Sequence, residues 1–234
     1  MTFALVGGGG AGRGAGGGTG GGIVYGTVPI NGANPITWTL GLGSSGTGGG
    51  PSTLVYTSPS GFELVTAIGG VDSSTSVGAS ALPQPVPPGL SYIMLGGGGG
   101  ARVIISSEII DQGAAGTSLG PHLEDASPGS ITGSFTLTSG NGAGEPLLPA
   151  ELLSLLPVNP PMGGLGISKT ESVNTTVTGG GGAGLGNGGN GGYSLNNVSV
   201  QASTSGVYGG GGAGSEVPPF VVSGGDGAFV YVIS

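Results

Sequence analysis

The stretch GGGGAGRGAGGGTGGG, residues 7–22, follows directly on the apolar residues TFALV and leaves sixteen positions almost without side chains. Glycine loses more backbone freedom on folding than any other residue, so such a run is costly to order. It also removes every β-carbon that would hold neighbouring backbones apart. The device recurs. FALVGGGG (3–10), YIMLGGGGG (92–100), TTVTGGGG (175–182) and GVYGGGG (206–212) each run a short extended stretch into four or five glycines, and GGGGAG stands at 7–12, 179–184 and 209–214. The intervals between these returns are irregular, unlike those of a fixed-period solenoid. The pattern predicts one domain whose chain comes back repeatedly to one glycine-rich layer. Its structural glycines are Gly7, Gly8, Gly9, Gly10, Gly97, Gly98, Gly180, Gly181, Gly210 and Gly211.

Polyglycine in the threefold, polyproline-like conformation can stack side by side through backbone N–H···O and Cα–H···O bonds. Each N–H and C=O needs a partner, so the arrangement works only as a bundle. GNGGNGG (186–192) shows a period of three, with Asn187 and Asn190 on one face. Ala11, Arg13 and Ala15 are spaced by two, as in a strand. The period leaves the helical type of the layer open.

Glycine (60) and proline (17) make up about a third of the 234 residues, which by itself reads as low complexity. Disordered chains, however, are poor in hydrophobic residues and rich in charge. Here 36% of residues are hydrophobic and only 6% charged, so an ordered chain is expected. Arg13, Arg102 and Lys169 are the only cations, and the net charge is −8. That sets aside nucleic-acid binding, which needs several cations on phosphates, and disfavours anionic membrane surfaces. The chain has no cysteine, hence no disulfide framework and no thiolate metal site. The opening residues lack the basic and apolar regions of a secretory leader. No apolar run approaches the ~20 residues of a membrane span.

Between the glycine runs, β-branched and aromatic stretches bounded by turn residues predict strands at 22–30, 36–43, 52–58, 62–70, 130–139, 196–204 and 228–234. The first and last apolar stretches, 2–6 and 228–233, are expected in one sheet. PAELLSLL (149–156), opened by Pro149 and stopped by Pro157, is the one helical stretch, two turns at most. The fold class expected is all-β: an extended glycine-rich layer combined with a β-sandwich or barrel-like sheet, with almost no helix, as a single domain over 1–234.

Chemical motifs are sparse. Gly7-x-Gly9-x-x-Gly12 follows a strand, but a dinucleotide site also needs a following helix and an acid ~20 residues on. Residues 13–22 cannot be helical, and the first acid is Glu63. His122, the only histidine, lies beside Glu124 and Asp125 in PHLEDASPG and reads as a solvated turn. No metal site, cofactor or catalytic residue is assigned. Tyr25, Trp38, Tyr56, Tyr92 and Tyr231 fall in strands, where core packing or edge contact is expected. Tyr193 and Tyr208 border glycine runs and are the aromatic candidates for receptor or partner contact. Leu152, Leu153, Leu155 and Leu156 form either an apolar contact surface or a plug over the end of the sandwich.

One order of parts is narrower than glycine bias. A strand runs into polyglycine, then come ITWTLGLG (36–43), GGGPS (48–52), FELVTAIGG (62–70) and the closing GGDGAFVYVIS (224–234). This resembles the glycine-rich domain of bacteriophage tail-fibre proteins over about 1–70 and 178–234, with 71–177 as a loop-rich insertion. The resemblance implies a non-enzymatic virion protein, a tail-fibre or spike component presenting loops. Its implied partners are other virion proteins and a host-surface polysaccharide or outer-membrane receptor, within a homo-oligomer or larger assembly. A capsid or tail decoration protein and an ice-binding glycine-layer protein are the alternatives.

Overall fold

The structure, a computed structural model, describes residues 1–14, 16–30, 35–59, 61–73, 87–93, 111–112, 148–156, 162–166, 168–169, 175–217 and 220–233. Its elements in chain order are β1 (Thr2–Val6), β2 (Gly12–Arg13), β3 (Ile23–Thr27), β4 (Thr37–Thr39), β5 (Ser52–Ser58), β6 (Gly61–Ala67), β7 (Leu90–Ile93), β8 (Asp111–Gln112), α1 (Ala150–Leu153), β9 (Ser168–Lys169), β10 (Thr175–Val177), β11 (Tyr193–Leu195), β12 (Val198–Gln201), β13 (Val221–Val222) and β14 (Ala228–Val232). The chain is nearly all β, and its sheets are antiparallel.

The opening and closing strands do lie in one sheet. Its order is β14-β1-β3-β7, with Thr2 opposite Val232 and Val6 opposite Ala228. Because β1 is an inner strand covered on both faces, its sequence TFALV is apolar without alternation. Phe3 and Leu5 pack with Val24, Leu54, Tyr56 and Val65 against the three-stranded sheet β4-β5-β6. Ala4 and Val6 face the other way, with Ile23 and Leu185, onto Leu148, Leu152 and Leu156 around α1. The result is a β-sandwich with a single helical turn as lid. Each fully buried large apolar side chain contributes about 1.5–3 kcal/mol.

The glycine runs are hydrogen-bonded to one another beside this sandwich. The N–H groups of Gly7 and Gly10 donate to the carbonyls of Gly22 and Thr19, at 3.1 and 2.8 Å, in the segment 16–22. Between them, Gly8 donates to Gly50 and Gly9 to Gly225. The carbonyls behave alike: Gly8 and Ala11 accept from Gly70 and Ser73, Gly9 from Ser44, and Gly10 from Gly212. Residues three apart meet the same neighbour, so the run 7–11 has a threefold repeat. It is surrounded by the segments 16–22, 41–44, 48–50, 68–73, 209–214 and 223–227. The repeat holds elsewhere. Gly18 and Gly21 donate to Gly212 and Gly209, while Gly211 and Gly214 donate to Gly182 and Gly179. Asn187 and Asn190 share a face, as their spacing predicts, and their Oδ1 atoms accept from the N–H of Met162 and Leu165 at 2.9 Å each.

This packing leaves no room for side chains. A β-carbon on Gly9 would lie 2.5 Å from the carbonyl carbon of Gly210, and one on Gly181 at 2.5 Å from that of Gly211. The bundle also explains why several strands end earlier than the sequence predicts. β4 stops at Thr39 and β6 at Ala67 because Gly41 and Gly69 already stand against Gly50 and Gly49. Segment 71–177 is tied into the fold at several described places. Asp72 and Ser73 bond the run 7–13, β7 pairs with β3, α1 covers the first sheet, and Gly164 donates to Gly181. Gly97, Gly98, His122 and the strand expected at 130–139 lie outside the described residues.

Candidate contact surfaces

Following the chain through the bundle separates two ends. β1, β3 and β14 all meet it at the sandwich, where Gly7, Gly22 and Gly227 stand. The run 209–214 starts at this level, with Gly21 donating to Gly209, and finishes at the far end, where Gly214 donates to Gly179. The run from Gly179 therefore descends from β10. The small sheet β10-β11-β12 sits at the end away from the sandwich.

At that far end the β11–β12 hairpin turns through Asn196 and Asn197, both at positive φ (51° and 60°), a conformation asparagine tolerates and tight hairpins need. The hairpin is pinned by Glu216. Its Oε1 accepts from Ser199 Oγ at 2.8 Å and its Oε2 from the Ser203 N–H at 3.1 Å, while Ser194 Oγ donates to its backbone carbonyl at 2.7 Å. Burial disfavours the charge on Glu216. The bonds from Ser203 and Ser199 outweigh it and hold the carboxyl below the usual carboxylate range. A second polar knot joins the run 7–13 to its neighbours. Asp72 Oδ1 accepts from the Ala11 N–H at 2.7 Å and Oδ2 from the Gly48 N–H at 3.1 Å, with Arg13 Nε 3.9 Å from Oδ2. Arg13 Nη2 donates to the Gly46 carbonyl. These groups are consumed in holding backbone.

The two aromatic candidates are not brought together. Tyr193 begins β11 at the far end and is half-buried. Tyr208 is exposed in a turn at the sandwich end, at φ +47°, where its carbonyl accepts from the Leu185 N–H. The leucine cluster divides. Leu152 and Leu156 are buried in the core and plug one face of the first sheet, and the half-buried Leu153 packs against them. Only Leu155 of the four is exposed. The helical spacing explains the split, since residues four apart share a face.

Sequence reasoning placed Trp38 and Tyr231 in strands without separating core from edge. The structure puts both on the flank of the sandwich. Trp38 in β4 lies 5.1 Å from Phe229 and 6.3 Å from Tyr231, ring centre to ring centre, and Phe229 and Tyr231 stack at 5.2 Å. Among the described residues no three His, Cys, Asp or Glu side chains converge on one point, and no helix is long and apolar enough to cross a membrane. No family model, curated protein or solved structure matches the chain.

Proposed function

We propose that the protein is a non-enzymatic structural component of a bacteriophage virion, a tail-fibre or spike subunit that presents loops to a host surface or to other virion proteins. The observation that supports this reading best is the glycine bundle between two ends. It is a stiff spacer of bare backbone, with a sandwich at one end and the Asn196–Asn197 hairpin at the other. Such a spacer fixes its terminal loops in space while tolerating their variation, which suits an attachment device. The order of glycine runs, ITWTLGLG and GDGAFVYVIS lends the same support. In this reading the exposed Tyr208 and Leu155 remain contact candidates, with Tyr193 beside the hairpin, and the partner is a surface polysaccharide, an outer-membrane receptor or a neighbouring virion protein.

The test is localisation and binding. Immunogold labelling with antibody to the purified protein is expected on the tail or fibre of phage particles, and the purified protein is expected to bind host cells. Labelling of the capsid alone, with binding to capsids and not to cells, would favour a decoration protein. Absence from purified particles would overturn the reading.

A further inference from the structure

We infer that the open flank of the sandwich is a self-association surface, which binds the same flank of a second copy of this chain about a twofold axis. The inference deepens the assembly reading above and names the surface that would carry it.

The two packed sheets are aligned so that β4 lies over β14 and β5 over β1. Both β4 and β14 are outermost in their sheets among the described strands, and they share one flank. Trp38 from β4 meets Phe229 and Tyr231 from β14 in the gap between the sheets, and Leu40 and Ile233 follow just past the ends of the two strands. At that open edge they stay uncovered: Trp38 is 49% exposed, Tyr231 42%, Leu40 41% and Ile233 68%. Natural sheets guard a free edge with lysine, proline, bulges or inward charges. Neither Thr37–Thr39 nor Ala228–Val232 contains a charge, a proline or a break in register.

Charge and area select the occupant. Residues 35–43 and 227–233 hold no ionisable acid or base apart from the Tyr231 phenol, in a chain of net charge −8. A neutral apolar strip on an acidic surface fits another neutral apolar strip, and the strip on a second copy is self-complementary. The uncovered parts of the four side chains amount to on the order of 400 Å² per copy, taking ~150–250 Å² for a large ring. With the edge backbone, two copies would cover about 1,000 Å², the lower bound for a specific interface. A dimer dissociating in the micromolar range follows, with β14 pairing antiparallel to its twin and each five-residue edge supplying the other's hydrogen-bond partners.

Trp38 is the only tryptophan, so its fluorescence reports on this flank alone. Sedimentation velocity of the full chain between about 1 and 300 µM should show a monomer–dimer equilibrium. Trp38 emission should move to shorter wavelength as the dimer forms. Raising salt should tighten the dimer, because it screens repulsion between acidic copies and breaks no interfacial ion pair. Ile233→Lys, and independently Leu40→Lys, should weaken it about 100-fold by facing like charges across the axis. Phe62→Lys should leave it unchanged, since Phe62 is 79% exposed but lies on β6 at the opposite edge of its sheet. A wild type that stays monomeric at the highest concentration would overturn the inference. So would a dimer whose formation leaves Trp38 emission unmoved, or one that Phe62→Lys weakens as much as Ile233→Lys. None of these outcomes bears on where antibody labels the particle, so the virion reading is judged separately.

Discussion

Replacing Gly9 by alanine adds one methyl group at a place where the structure has none to spare. The new carbon would stand 2.5 Å from the Gly210 carbonyl carbon and 3.0 Å from the Gly209 oxygen, both of them backbone atoms that cannot rotate away. The run 209–214 must move, and with it the bonds from Gly212 to Gly10 and from Gly18 to Gly212. Overpacking of this kind costs about 1–3 kcal/mol, and each weakened backbone bond about 1 kcal/mol more. The sum, about 3–5 kcal/mol, corresponds to a fall in melting temperature of about 6–20 °C for a domain of this size. Gly61→Ala supplies the contrast. A β-carbon there meets nothing within 4 Å, and only the φ of +125° resists it. That conformational penalty alone is about 1–3 kcal/mol. Calorimetry or thermal circular dichroism on both variants and the wild type decides the matter. If Gly9 sat in a flexible tether, alanine would stabilise slightly, by about 0.4–1 kcal/mol, through the unfolded chain. A melting temperature for Gly9→Ala equal to or above that of the wild type would refute the packing argument.

Other perturbations reach other parts of the account. Leu152→Ala should cost about 2–5 kcal/mol by opening a cavity under the first sheet, while Leu155→Ala on the same turn should cost under about 0.5 kcal/mol, both measured by denaturant unfolding. Ser52→Ala should cost about 1–3 kcal/mol, because the buried Ser52 Oγ accepts from the Gly41 N–H at 2.9 Å and donates to the Val6 carbonyl at 2.7 Å, and the substitution takes away the Gly41 N–H's partner. The Glu216 carboxyl titrates below its unfolded value of about 4.3, so its stabilisation is complete above that pH and lost as pH falls through the lower folded value. The Ser203 amide resonance should follow that loss, and in Glu216→Gln the acid-induced change should vanish.

Where side chains carry phase, the sequence could be read directly. The continuous TFALV and the closing AFVYV announce strands, their pairing in one sheet follows from their common apolar character, and Pro149 and Pro157 bracket the helical turn. Asn187 and Asn190 betray the threefold repeat because two side chains happen to mark it. In the run 7–22 no such markers exist. The spacing of two at Ala11 and Arg13 reflects the end of the run, where Gly12–Arg13 pairs with Val221–Val222 as β2 and β13. The fates of Leu152 and Trp38 were illegible for another reason. Alternation tells which face a residue takes, but burial depends on what covers that face and on whether the strand ends its sheet. On sequence the leucines fit a contact surface or a plug equally, and α1 over Ala4 and Val6 selects the plug; Trp38 fits core or edge, and β4 is the outermost described strand of its sheet.

The central claim is that the glycine runs are a hydrogen-bonded bundle and not tethers, and amide hydrogen exchange tests it residue by residue. The N–H groups of Gly8, Gly9, Gly18, Gly182, Gly211 and Gly212 all donate to backbone carbonyls of other segments at 2.8–2.9 Å. They should exchange only through global or near-global unfolding, as slowly as the β1 amides and by several orders of magnitude more slowly than free polyglycine. Exchange at the free-peptide rate at these glycines, with β1 still protected, would contradict the account.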